Sequence, residues 1–71
     1  MLLREFKKKI ENTIKPFRYI YEHDTKNKLY YFTLYNFKLR SFRFLISEKS
    51  LRELEICESK LNYAHKKYRE L

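Results

Sequence analysis

The sequence predicts an α+β fold in which a three-stranded antiparallel sheet is flanked by an N-terminal and a C-terminal helix, in the order α-β-β-β-α. Two changes in the spacing of apolar residues indicate this order. Apolar residues recur every three or four positions up to Ile14 and then follow a strand-like pattern up to Ile46. After Ser47 they return to a period of about 3.5 residues. With 71 residues, the chain is expected to form one small domain, 1–71, with limited core volume.

The first helix is predicted over residues 2–14. The apolar residues of this first segment have spacings of three and four, namely Leu3, Phe6, Ile10, Ile14 and Phe17. Pro16 cannot continue a helix, and the residue before it, Lys15, is expected to adopt an extended conformation.

Three strands are predicted between Phe17 and Ile46. The first covers residues 17–23 and the second residues 29–35, because both segments are rich in aromatic and branched side chains. Between them, Asn27 is the best candidate for a positive φ in a chain that has no glycine. The next turn lies either at Asn36 or near residues 38–41, and the third strand covers residues 42–46.

The second helix is predicted from about Ser47 onward. Its apolar seam alternates steps of three and four and consists of Leu54, Cys57, Leu61, Ala64, Tyr68 and Leu71. Two N-terminal caps compete. One is Ser47, with Ile46 packing on Leu51 as a hydrophobic staple, and the other is Ser50 with Glu53 as a capping box.

Positive charge is concentrated in the N-terminal two-thirds of the chain. Residues 1–46 hold 11 basic and 4 acidic residues, whereas residues 47–71 hold 6 and 5. Between Lys28 and Ile46, large aromatic residues are interleaved with Lys and Arg, and no acidic residue intervenes. Basic and aromatic side chains together can contact phosphates and stack on bases, so nucleic acid of either type, or an acidic host protein, is the predicted partner.

Ten side chains are the candidates for contact with nucleic acid. They are basic residues of helix one and of the strand region, together with two tyrosines of strand two: Arg4, Lys7, Lys8, Lys15, Arg18, Tyr30, Tyr35, Lys38, Arg40 and Arg43.

Both faces of strand two carry aromatic residues, because side chains alternate along a strand. If each helix covers one face, the sheet is buried on both sides. This interpretation is favoured, since large aromatic residues usually indicate burial. If both helices cover the same face, the other face is a platform of tyrosine rings for unpaired bases.

The order of elements from Arg18 to Leu61 resembles that of the AP2-type DNA-binding domains and of the arm-binding domains of phage integrases. The resemblance covers three strands and a helix that opens at residues 46–51. It is one of topology, because this chain has no glycine and those families typically do. It implies a sheet docked into a DNA groove through Arg18, Lys38, Arg40 and Arg43.

The protein is predicted not to be an enzyme and to need no metal or cofactor. His23 lies at a strand end and His65 far along another element, so no acid–base pair is apparent. Without glycine there is no glycine-rich phosphate loop. Cys57 lies on the apolar seam and is expected to be a small buried hydrophobic residue.

A second hypothesis is a phage-type protein–protein inhibitor or adaptor that binds a host nucleic-acid enzyme or defence system. Aromatic and arginine side chains are common anchors of protein interfaces. Ile56 and Tyr63 lie off the main seam, where they either pack on helix one or form a partner interface. The excess of apolar surface over one sheet face also predicts a homodimer.

Residues with AT-rich codons (Phe, Tyr, Ile, Asn and Lys) make up 33 of the 71, which predicts a low-GC genome: that of a Gram-positive bacterium, its phages or another compact virus. Composition alone does not choose among these sources, and a phage or mobile-element source is the hypothesis adopted. The single cysteine excludes an internal disulfide. No apolar stretch approaches the ~18–20 residues that cross a bilayer. A cytoplasmic protein that does not bind membranes is therefore expected.

Overall fold

The computed structural model describes all 71 residues, and it confirms the predicted α+β class. Helix α1 (Leu3–Lys9) continues into a π-helical segment, Ile10–Ile14. Three strands follow, β1 (Arg18–Asp24), β2 (Leu29–Tyr35) and β3 (Ser41–Ser47), and then a short helix α2 (Glu48–Leu51) and a long helix α3 (Leu54–Arg69). None of these helices combines the length and the hydrophobicity that a bilayer span requires.

The sheet has the strand order β1-β2-β3 and is antiparallel throughout. At one end Tyr35 of β2 pairs with Arg18 on one side and Ser41 on the other. At the opposite end Leu29 pairs with Asp24 and Ser47. Because side chains alternate along each strand, this register sorts the residues of all three strands into two faces.

One hydrophobic core lies between the sheet and the helices. Its buried side chains come from both helical regions and from β2 and β3: Phe6, Ile10, Ile14, Phe32, Leu34, Phe44, Ile46, Leu51, Cys57, Leu61 and Ala64. The ring of Phe6 lies 5.4 Å from that of Phe32 and 6.4 Å from that of Phe44, measured between centroids. Both helices therefore cover the same face, and the favoured prediction of a sheet buried on both sides is wrong.

The first helix ends at Lys15 with a backbone that differs from the prediction. Lys15 has φ 54° and ψ 54°, in the left-handed region, and its N–H donates to the carbonyl of Ile10 at 3.1 Å. A left-handed residue with such a bond is a common way to close a helix. The expectation of an extended Lys15 is wrong because helix capping, rather than the following Pro16, determines its conformation.

The turn between β1 and β2 also uses a different left-handed residue from the one predicted. Lys28, not Asn27, has the positive φ, at 56°. Asn27 instead donates its backbone N–H and its side-chain amide to the Asp24 carboxylate, at 3.0 and 2.8 Å. The side-chain bond is the largest of the causes that lower the pKa of Asp24.

The second predicted helix is broken near its start. Ser47 caps α2, because its Oγ accepts a hydrogen bond from the Ser50 N–H at 3.0 Å. Ser50 thus lies inside α2, and the alternative capping box is not formed. The helix breaks at residues 52–53, and Leu54, predicted on the buried seam, is 56% exposed. The next three members of the seam are buried as predicted, namely Cys57, Leu61 and Ala64.

Tyr68 of α3 joins the C-terminal helix to one end of the sheet. Its hydroxyl donates to the Tyr35 carbonyl at 3.1 Å and accepts from the Phe17 N–H at 3.0 Å. A single side chain thereby links α3 to the residue before β1 and to the last residue of β2.

The substitution Tyr68→Phe tests the contribution of this link. It removes both hydrogen bonds and is expected to lower the free energy of unfolding by about 1–2 kcal/mol, measured by urea denaturation. The matched control is Tyr63→Phe, because the Tyr63 side chain is half exposed and its hydroxyl bonds to no protein group. Equal urea midpoints for the two variants would show that the link contributes nothing.

Candidate nucleic-acid interface

The face of the sheet opposite the helices is covered by no other element of the chain. It is named the open face, and alternate positions of the three strands supply its side chains: Arg18, Ile20, Glu22, Asp24, Leu29, Tyr31, Thr33, Tyr35, Ser41, Arg43, Leu45 and Ser47. All of them are exposed or half-buried. Two of its three aliphatic side chains, Ile20 and Leu45, are each 41% exposed.

Two arginines lie over tyrosine rings on the open face. The guanidinium carbon of Arg43 is 4.3 Å from the ring centroid of Tyr31, and that of Arg18 is 5.1 Å from the ring centroid of Tyr35. Such cation–π contacts contribute roughly 0.5–1 kcal/mol at exposed sites. They hold each guanidinium group against a ring at the surface of the sheet.

The two Arg–Tyr pairs occupy different ends of the open face. Tyr31 and Tyr35 are four residues apart on β2, a distance of about 13 Å along the strand. Near Tyr31, Arg43 donates to the Glu22 carboxylate at 3.2 Å, which offsets its charge. Arg18 makes no ion pair, so the end of the open face at Tyr35 has the larger excess of positive charge.

Asn36 organises the turn at that end, which comprises residues 36–40. Its side-chain Oδ1 accepts from the N–H groups of Lys38 and Arg40, both at 3.0 Å. Its own N–H donates to the Arg40 carbonyl and its carbonyl accepts from the Leu39 N–H, both at 2.9 Å. These four bonds hold Leu39 at φ 64°, a conformation that costs a residue with a β-carbon roughly 1–2 kcal/mol.

Five of the ten predicted residues lie at or beside the open face. Arg18, Tyr35 and Arg43 are on it, and Lys38 and Arg40 are exposed in the adjoining 36–40 turn. The sequence prediction therefore contained the basic side chains of this surface.

The predicted residues of helix one lie on the other layer of the molecule. Arg4 and Lys8 are exposed on α1, which packs against the covered face of the sheet, so they cannot contact the same short ligand as the open face. Lys7 lies over the ring of Tyr21, 3.7 Å from its centroid. Lys15 is exposed at the end of the π-helical segment.

Tyr30 and Tyr35 lie on opposite faces of the sheet. Tyr30 stacks on the covered side, with its ring centroid 4.5 Å from that of His23 and 6.1 Å from that of Tyr21. The tyrosine that shares the open face with Tyr35 is Tyr31, which was not among the predicted residues. Strand alternation is the signal that identifies it, because residues four apart point the same way.

The predicted partner interface on α3 has one exposed member. Ile56 is half-buried, whereas Tyr63 is 50% exposed, with the Lys67 Nζ 5.8 Å from its ring centroid. A homodimer through this helix stays a prediction.

Two reactive side chains elsewhere, His23 and Cys57, are paired and buried, respectively. His23 Nε2 lies 2.8 Å from Glu48 Oε2. Cys57 is fully buried, its Sγ donates to the Leu51 carbonyl at 3.1 Å, and burial raises the pKa of its thiol. No three His, Cys, Asp or Glu side chains are close enough together to hold a metal ion.

Comparison of the chain with protein-family models, with curated proteins and with solved structures found no match. The resemblance to AP2-type and integrase arm-binding domains therefore rests on the order of the elements alone.

Tyr19 offers a pH-dependent test of the packing beneath the open face. Its hydroxyl donates to Glu11 Oε2 at 2.5 Å. Burial, this hydrogen bond and the carboxylate charge raise the pKa of Tyr19 from 10.0 to about 12. The fold thus favours the neutral phenol, and its contribution to stability is complete below pH 10 and is lost as the pH rises toward 12.

Tyr19→Phe is accordingly expected to lose less stability than the wild-type protein between pH 10 and pH 12. Urea denaturation at a series of pH values in this window measures the difference. Tyr63→Phe is the control, since that tyrosine is half exposed. Parallel pH profiles for the wild type and Tyr19→Phe would contradict the assignment.

Proposed function

We propose that this protein is a small non-enzymatic nucleic-acid-binding protein and that the open face is its binding surface. The main support is the pairing of Arg18 with Tyr35 and of Arg43 with Tyr31 on a sheet face that no helix covers. Guanidinium groups bind phosphates, and both guanidinium planes and aromatic rings stack on bases. One surface thus presents both kinds of contact that a nucleic acid needs.

Electrostatics supports the same partner. The net charge of +8 attracts phosphate backbones at long range. Lys38 and Arg40 add positive charge at the end of the open face where Arg18 has no acidic neighbour. An acidic protein would also be attracted by the positive charge, but the bases of a nucleic acid could in addition stack on the half-buried tyrosine rings.

The proposal includes a cytoplasmic location and a phage or mobile-element source. A single free thiol suits a reducing compartment. The AT-rich codon usage implied by the composition is common in such genomes.

Salt titration is the first test of this function. Labelled single- and double-stranded oligonucleotides of DNA and RNA are mixed with the protein at low salt, and fluorescence anisotropy is followed as salt is added. Affinity is expected to fall steeply, with a logarithmic slope of about −0.7 to −0.9 for each phosphate neutralised. Absence of binding to all four ligands at low salt would reject the proposal in favour of a protein-binding inhibitor or adaptor.

A pair of variants with equal charge tests the location of the surface. Arg18→Gln and Lys8→Gln each remove one positive charge, the first from the open face and the second from the outer side of α1. Arg18→Gln is expected to weaken binding about fivefold to tenfold, because it loses a phosphate contact and a stacking plane. Lys8→Gln should change affinity by less than about twofold. Equal losses would mean that net charge, and not the open face, governs binding.

A further inference from the structure

The three most exposed large apolar residues of the protein lie in segments at the same end of the sheet, next to Arg18 and Tyr35. Phe37 is 74% exposed, Leu39 is 68% exposed and Phe17 is 64% exposed. Arg18, the first residue of β1, pairs with Tyr35, the last residue of β2. Phe17, which comes before Arg18, and the 36–40 turn, which comes after Tyr35, therefore lie at the same end of the sheet. The two hydrogen bonds of Tyr68 hold the backbone of Phe17 beside that of Tyr35.

Leu39 occupies a backbone conformation that asparagine or glycine adopts more easily than leucine. Its φ is 64°, and the hydrogen bonds of Asn36 keep it there. The exposed Leu39 side chain contributes nothing to the core. Strained residues of this kind concentrate where a ligand is bound. Core packing therefore does not account for leucine at this position, and its side chain is available to a ligand.

Cations alternate with these apolar side chains. Residues 17–18 and 36–40 together contain three basic residues and no acidic residue, namely Arg18, Lys38 and Arg40. None of the three takes part in an ion pair of the protein. A ligand that matches this end of the open face must present flat apolar surfaces and several anions at short intervals.

We infer that the ligand of the open face is single-stranded nucleic acid and that it continues from the Arg18–Tyr35 pair onto the 36–40 turn. Unpaired bases lie against Phe37 and Leu39, and phosphates lie near Lys38 and Arg40. This inference rests on the proposed function.

The placement of the arginines favours a single strand over a duplex. In a duplex the protein reaches base edges through a groove, so the side chains that read them must project from the surface. Arg18 and Arg43 instead lie over tyrosine rings. Single strands expose the faces of their bases, which stack on such rings and guanidinium planes.

The test compares a short pyrimidine single strand with a duplex of the same length, by fluorescence anisotropy at fixed salt. Wild-type protein is expected to bind the single strand at least about tenfold more tightly. Phe37→Ala and Leu39→Asn should each weaken single-strand binding roughly fivefold or more, since each removes one contact with a base. Neither variant removes charge, so the salt dependence should remain that of the wild type.

Leu54→Asn is the matched control for Leu39→Asn, because Leu54 is also an exposed leucine, 56% accessible, but begins α3 on the other layer. It should leave single-strand binding unchanged. Thermal unfolding verifies that Leu39→Asn is folded, as expected for a residue that tolerates the left-handed conformation.

Two results would overturn the inference while leaving the proposed function in place. One is duplex binding equal to or tighter than single-strand binding, and the other is wild-type affinity in both Phe37→Ala and Leu39→Asn. Failure of the wild-type protein to bind either ligand would overturn the inference and the proposed function together.

Discussion

Packing of Phe6 against Phe32 and Phe44 determines which face of the sheet is covered. This aromatic contact packs α1 against β2 and β3. The buried residues of α3 include Cys57 and Ala64, whose small side chains allow α3 to pack closely on the same face of the sheet. The N-terminal and the C-terminal helices thus both pack on this one face of the sheet. No element of the 71-residue chain remains for the other side, so the open face is a consequence of how the core is built.

The side chains of the strands are consistent with one face buried against the helices and one face exposed to solvent. On β2 the buried side chains are Phe32 and Leu34, whereas Tyr31, Thr33 and Tyr35 lie on the open face. Tyrosine and threonine have hydroxyl groups that bind water while the rest of the side chain packs. The arginines of β1 and β3 flank these tyrosines because the antiparallel register sets Arg18 opposite Tyr35.

Side-chain and backbone hydrogen bonds fix the end of the sheet that carries the exposed apolar residues. Asn36 makes four hydrogen bonds within the 36–40 turn, and Tyr68 ties the adjacent backbone to α3. A surface fixed before binding loses less conformational entropy when a ligand arrives. The packing of α3 therefore supports the candidate interface, although α3 itself lies on the opposite layer.

The sequence by itself determined the order of the elements and the bounds of β2, predicted as 29–35 and observed as Leu29–Tyr35, because the spacing of apolar residues and the enrichment in aromatic and branched side chains are local properties of the chain. It also identified the basic residues of the open face. It did not determine which face the helices cover, since β2 has apolar residues on both. The left-handed residues Lys15, Lys28 and Leu39 and the helix break at residues 52–53 were not predicted either. At Lys15 and Leu39, capping and turn hydrogen bonds between residues at most five apart outweigh the propensity of the single residue. The face that the helices cover, in contrast, depends on packing between distant segments, which only the folded chain brings together.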